Sequence, residues 1–422
     1  MTHLQPLRRL RHGLLVSGQW SVVLALFCVP LSKAATSTCI VLALFSALTG
    51  AELRQRWRQA LHDPVARGML VWAGLMMASA LHSWLSSQDS APLRSSDVWT
   101  FTMPAVIASL LLTPQLRWRA WKAFALGIGM VLLISLLMAI GLVPQRAEAE
   151  LIVSMRNSVF KEYTQQGLAT LMLATLLLSV LPTLPRRGWR LAAGAIAGLA
   201  VFNVSFLLGS RTSYLTLSPL LLYWLWVWLR DHLTRGRILL VMAGTSVLLA
   251  TTILTAPTTG GRLHAISSEI SGHMDDGQAT STGIRLWLWQ HTVSIARESL
   301  LIGHGLGQWE PRYVQRMAQI PDSTAYLTGH PHQEMLLILA EEGVIGLLAL
   351  LVLLALLARL CRQLPASEQH FVYSLLIIYM SAGQANGLLA DFTHRNTFIL
   401  LLSCIPSVAS MASIRPPLRS HS

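Results

Sequence analysis

The stretch EMLLILAEEGVIGLLALLVLLALLARL, Glu334 to Leu360, is apolar over more than the length of a membrane-spanning helix. Such a helix needs about 20 predominantly apolar residues, so we predict that this segment crosses a membrane. The whole chain has the same character: of its 422 residues, 53% are hydrophobic and 12% are charged, and the mean hydropathy is +0.53. This composition is typical of an integral membrane protein.

Other segments along the chain are also apolar enough to be candidate spans. We therefore predict an all-α, polytopic membrane protein with about 12 transmembrane helices. They are expected at residues 14–32, 36–51, 66–85, 98–113, 122–143, 166–182, 190–208, 214–230, 237–256, 334–360, 370–389 and 396–413. Residues 1–256 then carry spans 1–9, residues 257–333 form a large outer loop with short helices, and residues 334–422 carry spans 10–12 and a cytoplasmic tail.

The positive charges predict the orientation of these spans. If the N-terminus, with Arg8, Arg9 and Arg11, is cytoplasmic, the cytoplasmic segments hold 20 of the 32 Lys and Arg residues but 4 of the 19 Asp and Glu residues. Cytoplasmic loops of membrane proteins carry such an excess of Lys and Arg. We therefore expect both termini in the cytoplasm and the large loop on the opposite, outer face.

A pI of about 10.4 would also suit a nucleic-acid-binding protein. The arginines, however, lie in short loops that flank spans, such as ELRQRWR at 52–58 and PRRGWR at 185–190. There they anchor the topology and meet anionic membrane lipids. We expect membrane lipids and no nucleic acid as partners.

The outer loop at 257–333 is large enough to form a small domain. It shows helical patterns near 262–274, 283–299 and 309–319, separated by Gly, Pro and Ser. Loops of this length in compact proteins tend to be functional, so we look for the site here.

Arg211 lies in LLGSRTSYL, residues 207–215, at the outer turn between two predicted spans. An arginine at this depth can be an interfacial anchor that extends towards the headgroups. Anchoring cations concentrate on the cytoplasmic face, however, and a tight Gly-Ser turn leaves little room for that role. We therefore predict a functional role for Arg211.

Arg285 lies in STGIRLWLWQHTVSIARESLLIGHGLGQW, residues 281–309. Ser281 or Thr282 can cap a helix whose first turn carries Arg285, and the apolar content suits a helix at the membrane surface. The run GHGLG at 303–307 resembles a phosphate-cradling loop but lacks the Lys-Ser/Thr of a P-loop, so a tight turn is expected.

His330 and His332, separated by Pro331, stand at the start of the tenth predicted span. A metal bound by this pair would need further ligands. The candidates are His273, Asp275, Asp276 and Glu334. Their spacing is not typical of a transition-metal site, although Asp275 and Asp276 leave a Mg²⁺–diphosphate site as an alternative. We predict no metal.

His332 is either a structural residue or a general base. At a helix start, the positive end of the helix dipole disfavours a protonated imidazole, and a neutral histidine near pH 7 can accept a proton. Glu341 and Glu342 lie deeper in the predicted span, where carboxylates suggest function by default. The aromatic side chains can stack on sugars or mark the membrane interface; they are Tyr163, Tyr313, Tyr326 and Trp309.

Three motifs together resemble the O-antigen ligase and O-antigen polymerase superfamily of bacterial envelope glycosyltransferases. They are GSRTSYL, GIRLWLWQHTVSIARESLLIGHGLG and HPHQEMLLILAEEGVIG. Their order, spacing and outer location agree with that family over about residues 205–350. One departure is that the family usually shows His-Asn in the last motif, whereas Gln333 follows His332 here. Glutamine carries the same side-chain amide group as asparagine.

The resemblance implies a GT-C-like fold in the bacterial inner membrane, with the active site facing the periplasm. The implied reaction transfers a glycan from undecaprenyl diphosphate to a sugar hydroxyl of the lipid A core, in lipopolysaccharide biosynthesis. It is expected to be inverting and to need neither a metal nor another cofactor. We expect a monomer.

The resemblance also implies roles for individual residues. Arg211 and Arg285 would hold the diphosphate, because a guanidinium binds two phosphate oxygens at once, and His332 would take the proton of the acceptor hydroxyl. Arg156 and Lys161, in the shorter outer loop, are weaker candidates for diphosphate binding. Possible supporting residues are His330, Gln333 and Glu341.

Three alternatives remain at this point. An O-antigen polymerase or a protein O-oligosaccharyltransferase would use the same donor chemistry with another acceptor; the single large loop late in the chain favours the ligase. A transporter or flippase is an alternative of a different class. Transporters usually show internal repeats, paired broken helices and ionisable groups near the bilayer centre, and the sequence shows neither such repeats nor such charges.

Overall fold

The computed structural model describes residues 5–86, 95–147, 155–231, 233–255, 281–320 and 327–413. All regular structure in these ranges is helical, and they contain no strand. The prediction of an all-α fold is therefore confirmed.

Most of the helices follow one another with short connections. The first nine are α1 (Gln5–Cys28), α2 (Lys33–Thr49), α3 (Leu53–Ala60), α4 (Pro64–Ser86), α5 (Ser95–Thr100), α6 (Met103–Leu110), α7 (Pro114–Ala139), α8 (Tyr163–Val180) and α9 (Arg187–Phe202). The others are α10 (Arg211–Leu229), α11 (Arg235–Thr255), α12 (Ser281–Glu298), α13 (Trp309–Met317), α14 (Glu334–Glu341), α15 (Gly343–Cys361), α16 (Ala366–Ala382), α17 (Phe392–Ser403) and α18 (Pro406–Ser413). A π-helical segment, Asn203–Leu207, continues α9.

Within the described part of the chain, six helical segments are long and apolar enough to cross a membrane. They are Arg8–Cys28, Pro64–Leu85, Pro114–Ala139, Tyr163–Thr183, Arg187–Leu207 and Gly343–Cys361. The pair α2 and α3, bent by 116°, gives a seventh if it counts as one span. The protein is therefore a multi-pass membrane protein. Helices occupy all the predicted span positions, but the count of twelve spans stays a prediction.

The predicted span 334–360 is divided into two helices at Gly343. The φ of Gly343 is 69°, in the left-handed region that favours glycine. Directly after it, the N–H of Val344 donates to the carbonyl of Leu300 at 2.9 Å. A turn from elsewhere in the chain thus supplies the acceptor at this break, which hydrophobic periodicity does not show.

The predicted span 370–389 also ends early, because α16 stops at Ala382. The sequence that follows, GQANGLLAD at residues 383–391, contains two glycines and three polar residues. Glycine and asparagine are typical of turns, but the apolar content of the whole window led to a longer predicted helix. We refer to residues 383–391 as the 383–391 loop.

The bundle is built around α8, the most buried of the candidate spans. It packs against α7, α9, α10 and α16, while α1 packs along α2 and α7. At the far end of α17 from the 383–391 loop, Arg117 forms a buried ion pair with Asp63 at 2.8 Å and donates to the carbonyl of Ile405 at 3.2 Å. Breaking a buried pair leaves an uncompensated charge, so these contacts fix the helices at that end.

Gly343→Ala is expected to destabilise the protein. A Cβ at this position would lie 2.3 Å from the carbonyl oxygen of Leu301, and a left-handed backbone costs about 1–2 kcal/mol for an L-residue. Thermal unfolding in detergent should show a loss of at least about 2 kcal/mol. Gly129→Ala is the control, because nothing lies within 4 Å of its Cβ position; equal destabilisation of both variants would contradict the assignment.

Candidate functional site

The 383–391 loop is fixed at both ends by Glu334, the first residue of α14. The buried carboxylate of Glu334 accepts from the N–H of Leu389 at 3.1 Å. The N–H of Glu334 donates to the carbonyl of Gly383 at 2.8 Å. Arg395 also donates to the Leu389 carbonyl, at 2.7 Å. The loop is therefore held against the segment that carries His332.

His332 has a left-handed backbone with φ of 53°, which is uncommon for a residue other than glycine. Its N–H donates to Nδ1 of His330 at 3.2 Å, and the two rings meet edge to face with centroids 4.2 Å apart. The side chain of Gln333 then caps α14 by accepting from the N–H of Leu336. His330 and Gln333 thus shape the turn that presents His332.

Asn386 links His332 to the turn beside Arg211. Its Nδ2 donates to Oγ1 of Thr212 at 3.0 Å, and its side chain also hydrogen-bonds the His332 imidazole. Nδ1 of His332 is buried and has no hydrogen-bond partner among the described residues. Asn386 was not among the residues predicted from the sequence, because it lies inside a predicted apolar span; the Gly-Gln-Ala-Asn-Gly turn signal could have identified it.

Arg211 begins α10 and is half-buried. The preceding Ser210 caps the helix, its Oγ accepting from the N–H of Ser213 at 3.2 Å and from the Ser213 hydroxyl at 2.8 Å. Gly167 of α8 approaches closely, since a Cβ there would lie 2.2 Å from Oγ of Ser213. Capping and close packing therefore fix the start of the helix on which Arg211 stands.

Arg285 lies in the first turn of α12, which packs against α14. Burial lowers the pKa of His332, and the charges of His330 and Arg285 lower it further, to about 4. A neutral imidazole at His332 is thus favoured mainly by burial, and the neighbouring charges contribute less. The structure therefore brings Arg285, His332 and the Arg211 turn to one region.

Arg156 and Lys161 lie in the segment that precedes α8. Asn157, next to the exposed Arg156, donates from Nδ2 to the carbonyl of Leu207 at 3.0 Å, just before the Arg211 turn. Lys161 is buried, and burial and then the charge of Lys33 lower its pKa to about 8. The segment is thus attached to the Arg211 turn, while its functional role stays a prediction.

The GHGLG run is a tight packing turn, as predicted. Gly305 has φ of 96°, and a Cβ there would lie 2.5 Å from Cβ of Ser83 in α4. Its N–H donates to the carbonyl of Glu341 at 2.7 Å. The buried carboxylate of Glu341 accepts from the N–H of Trp309 at 3.3 Å, so Glu341 supports the start of α13.

The structure describes only some of the residues that could have completed a metal site with the histidine pair. Within the described ranges, no group of three or more His, Cys, Asp and Glu side chains is close enough to hold a metal ion. His273, Asp275 and Asp276 lie outside those ranges. The carboxylate of Glu334 already accepts from the backbone of the 383–391 loop.

Two of the aromatic residues do not form a sugar-binding surface. Trp309 and Tyr313 are 1% and 0% exposed and stack on each other with centroids 4.8 Å apart. Nε1 of Trp309 donates to Oγ1 of Thr292 at 2.9 Å. The expectation of sugar stacking was wrong for this pair, which belongs to a small core of α12, α13 and α14. Tyr326 lies outside the described residues.

Residues 202–351 match the family model of the O-antigen ligase. We refer to this matched segment, residues 202–351, as the O-antigen ligase domain. The matched segment includes Arg211, Arg285 and His332, and the resemblance stated from the three motifs is confirmed. The comparison with curated proteins finds no match.

The O-antigen ligase domain covers about a third of the chain and supports an enzyme of the glycosyltransferase type. The 383–391 loop, with Asn386, lies outside it, as do Arg156 and Lys161. The residues near His332 therefore come from both inside the O-antigen ligase domain, as Arg285 does, and outside it, as Asn386 does.

Glu334→Ala is expected to loosen the 383–391 loop. The change leaves the N–H of Leu389 without its carboxylate acceptor, and a buried unpaired polar group costs about 1–3 kcal/mol. Thermal unfolding and amide hydrogen exchange of the loop measure this loss. Glu162→Ala is the matched control, because this glutamate is exposed and its side chain makes no capping hydrogen bond; unchanged exchange in Glu334→Ala would show that the carboxylate does not hold the loop.

Proposed function

We propose that this protein is an O-antigen ligase that transfers a glycan from undecaprenyl diphosphate to a sugar hydroxyl of the lipid A core. The observation that supports this most is the convergence of the Arg211 turn, Arg285 and Asn386 on His332. The reaction would take place on the periplasmic face of the bacterial inner membrane, in lipopolysaccharide biosynthesis.

On the donor side, Arg211 and Arg285 would bind the diphosphate. As the bond between the anomeric carbon and the diphosphate oxygen breaks, negative charge accumulates on the phosphates. Two guanidinium groups match that charge and remain protonated, and each hydrogen bond to a charged group contributes about 1.5–3 kcal/mol. Since the arginines take this role, the proposed transfer needs no metal ion. The exposed Arg156 would extend the cationic surface, and the buried Lys161 would add a positive charge in the same segment.

On the acceptor side, His332 would act as the general base. The new bond forms between the acceptor oxygen and the anomeric carbon, on the face opposite the departing diphosphate, so the configuration inverts. The hydroxyl proton goes to the imidazole. A base with pKa of about 4 is weak at neutral pH, but the hydroxyl would lose its proton late, as the anomeric carbon becomes oxocarbenium-like. General-base catalysis typically contributes about 10²–10⁴-fold.

Asn386 would orient this imidazole. We propose that Nε2–H of His332 donates to the amide oxygen of Asn386, whose Nδ2 is occupied by Thr212. Nδ1, which is buried and has no hydrogen-bond partner in the described ranges, would then accept the proton of an acceptor hydroxyl that reaches it when the acceptor binds. The same chain of hydrogen bonds connects His332 to Thr212, the residue after Arg211. The residues proposed to bind the glycan donor and to activate the acceptor are thus positioned by the same contacts.

The reaction is tested with purified protein in lipid and EDTA present. An undecaprenyl-diphosphate-linked glycan is offered together with lipid A-core, a second glycan-lipid and a serine-containing protein. We expect glycan on lipid A-core, and a loss of at least about 100-fold in His332→Ala and Arg211→Ala. His12→Ala and Arg187→Ala, both exposed and outside the proposed site, are the matched controls.

Each outcome of that assay separates one part of the proposal. Elongation of the second glycan-lipid would assign the protein to the polymerases, and modified protein to the O-oligosaccharyltransferases. Loss of transfer in EDTA would overturn the metal-independent mechanism. Site variants as active as the controls would exclude His332 and Arg211 from the chemistry.

The fall in rate at acid pH should reflect protonation of the His332 imidazole. Protonated imidazole cannot accept a proton, so kcat/KM is expected to fall as the pH decreases through about 4 and to stay level above it. The hydrogen bond from His332 to Asn386 raises the pKa of the imidazole; Asn386→Leu should therefore move this fall to lower pH and also reduce kcat.

The pH at which kcat/KM falls, the acid limb of the profile, distinguishes two roles of Asn386. It either orients the His332 imidazole or only supports the structure. A purely structural Asn386 would reduce the amount of folded enzyme and leave the limb where it is. The limb should stay unchanged in His12→Ala. A limb that does not move in Asn386→Leu would contradict the proposed contact.

A further inference from the structure

We propose that a groove between α4 and α15 binds an anionic phospholipid. A cavity of about 700 Å³ lies between the start of α4 and the end of α15, which run in opposite directions. Its volume is within the range of sites that bind drug-sized ligands. This site is separate from the proposed catalytic residues, and none of them lines it.

The walls of the groove are apolar and face outwards. Val71 of α4 is 76% exposed, and Val352 and Leu356 of α15 are 57% and 55% exposed. In a membrane-spanning pair of helices, such side chains meet acyl chains. At Gly68 the absence of a side chain allows Leu353 to approach closely, since a Cβ there would lie 3.0 Å from Cδ1 of Leu353, and both residues line the groove.

One end of the groove is cationic. Arg67, in the first turn of α4, and Arg359, in the last turn of α15, both line it and are exposed. Neither side chain has an ion-pair or hydrogen-bond partner among the described residues. His62 and Gln363 lie at the same end. No acidic side chain lines the groove in the described part of the chain.

An apolar groove with two arginines at one end matches a lipid with a phosphate headgroup. The acyl chains would lie along the apolar walls, and the phosphate would receive hydrogen bonds from the two guanidinium groups. Basic pockets between transmembrane helices on the cytoplasmic side bind such headgroups. The positive-inside orientation predicts that this end is cytoplasmic, so we assign the occupant as an anionic phospholipid of that leaflet.

The test measures lipid retention by the full-length protein. The protein is equilibrated with vesicles of phosphatidylglycerol and phosphatidylethanolamine with identical acyl chains, and the bound lipids are counted by native mass spectrometry. We expect selective retention of phosphatidylglycerol, reduced about tenfold in Arg67→Gln/Arg359→Gln. Arg54→Gln/Arg58→Gln removes the same charge from exposed positions in α3 outside the groove and should retain the lipid.

A second variant tests the walls without a change of charge. Val71→Trp fills the groove from an exposed position, where no packed neighbour must move, and should also reduce retention. Equal binding of the two lipids by the wild-type protein would overturn the proposal. It would equally be overturned if the α3 control lost as much phosphatidylglycerol as the groove variants, or if both groove variants retained it fully.

Discussion

The buried carboxylate of Glu334 is the contact on which this end of the molecule depends. Inside an apolar bundle, a backbone N–H without a partner costs several kcal/mol, so a non-helical segment persists only where its polar groups are paired. Glu334 provides that pairing for the 383–391 loop at Leu389 and Gly383. The loop can therefore replace what would otherwise be the end of a membrane helix, and it brings Asn386 to His332.

The second constraint is the irregular backbone of the turns around His332 and Arg211. Left-handed conformations occur at His332, Asn157 and Gly343 and in the glycines of the GHGLG turn, and a π-helical segment precedes the Arg211 turn. Such departures are unfavourable in isolation and are held by the surrounding contacts. Here the contacts are specific hydrogen bonds between turns, so the residues presented by those turns have little freedom to move.

Electrostatics differ between the two ends of the bundle. Arg117 is paired with Asp63 in the interior and acts in packing, whereas Arg285 is half-buried beside an imidazole whose pKa it lowers. Cations placed against a base keep that base neutral, and they also attract an anionic substrate. One arrangement of charge would thus serve both halves of the proposed transfer.

The sequence by itself determined the helical class, the membrane environment and the three motifs with Arg211, Arg285 and His332, because hydrophobic length, charge bias and local spacing are properties of the chain. Only the tertiary structure decided where helices break and which side chains meet. The division at Gly343 depends on a carbonyl from Leu300, and the contact of Asn386 with Thr212 joins residues far apart in the chain. Hydropathy windows average over such positions, and long-range hydrogen bonds leave no periodic signal in a single sequence.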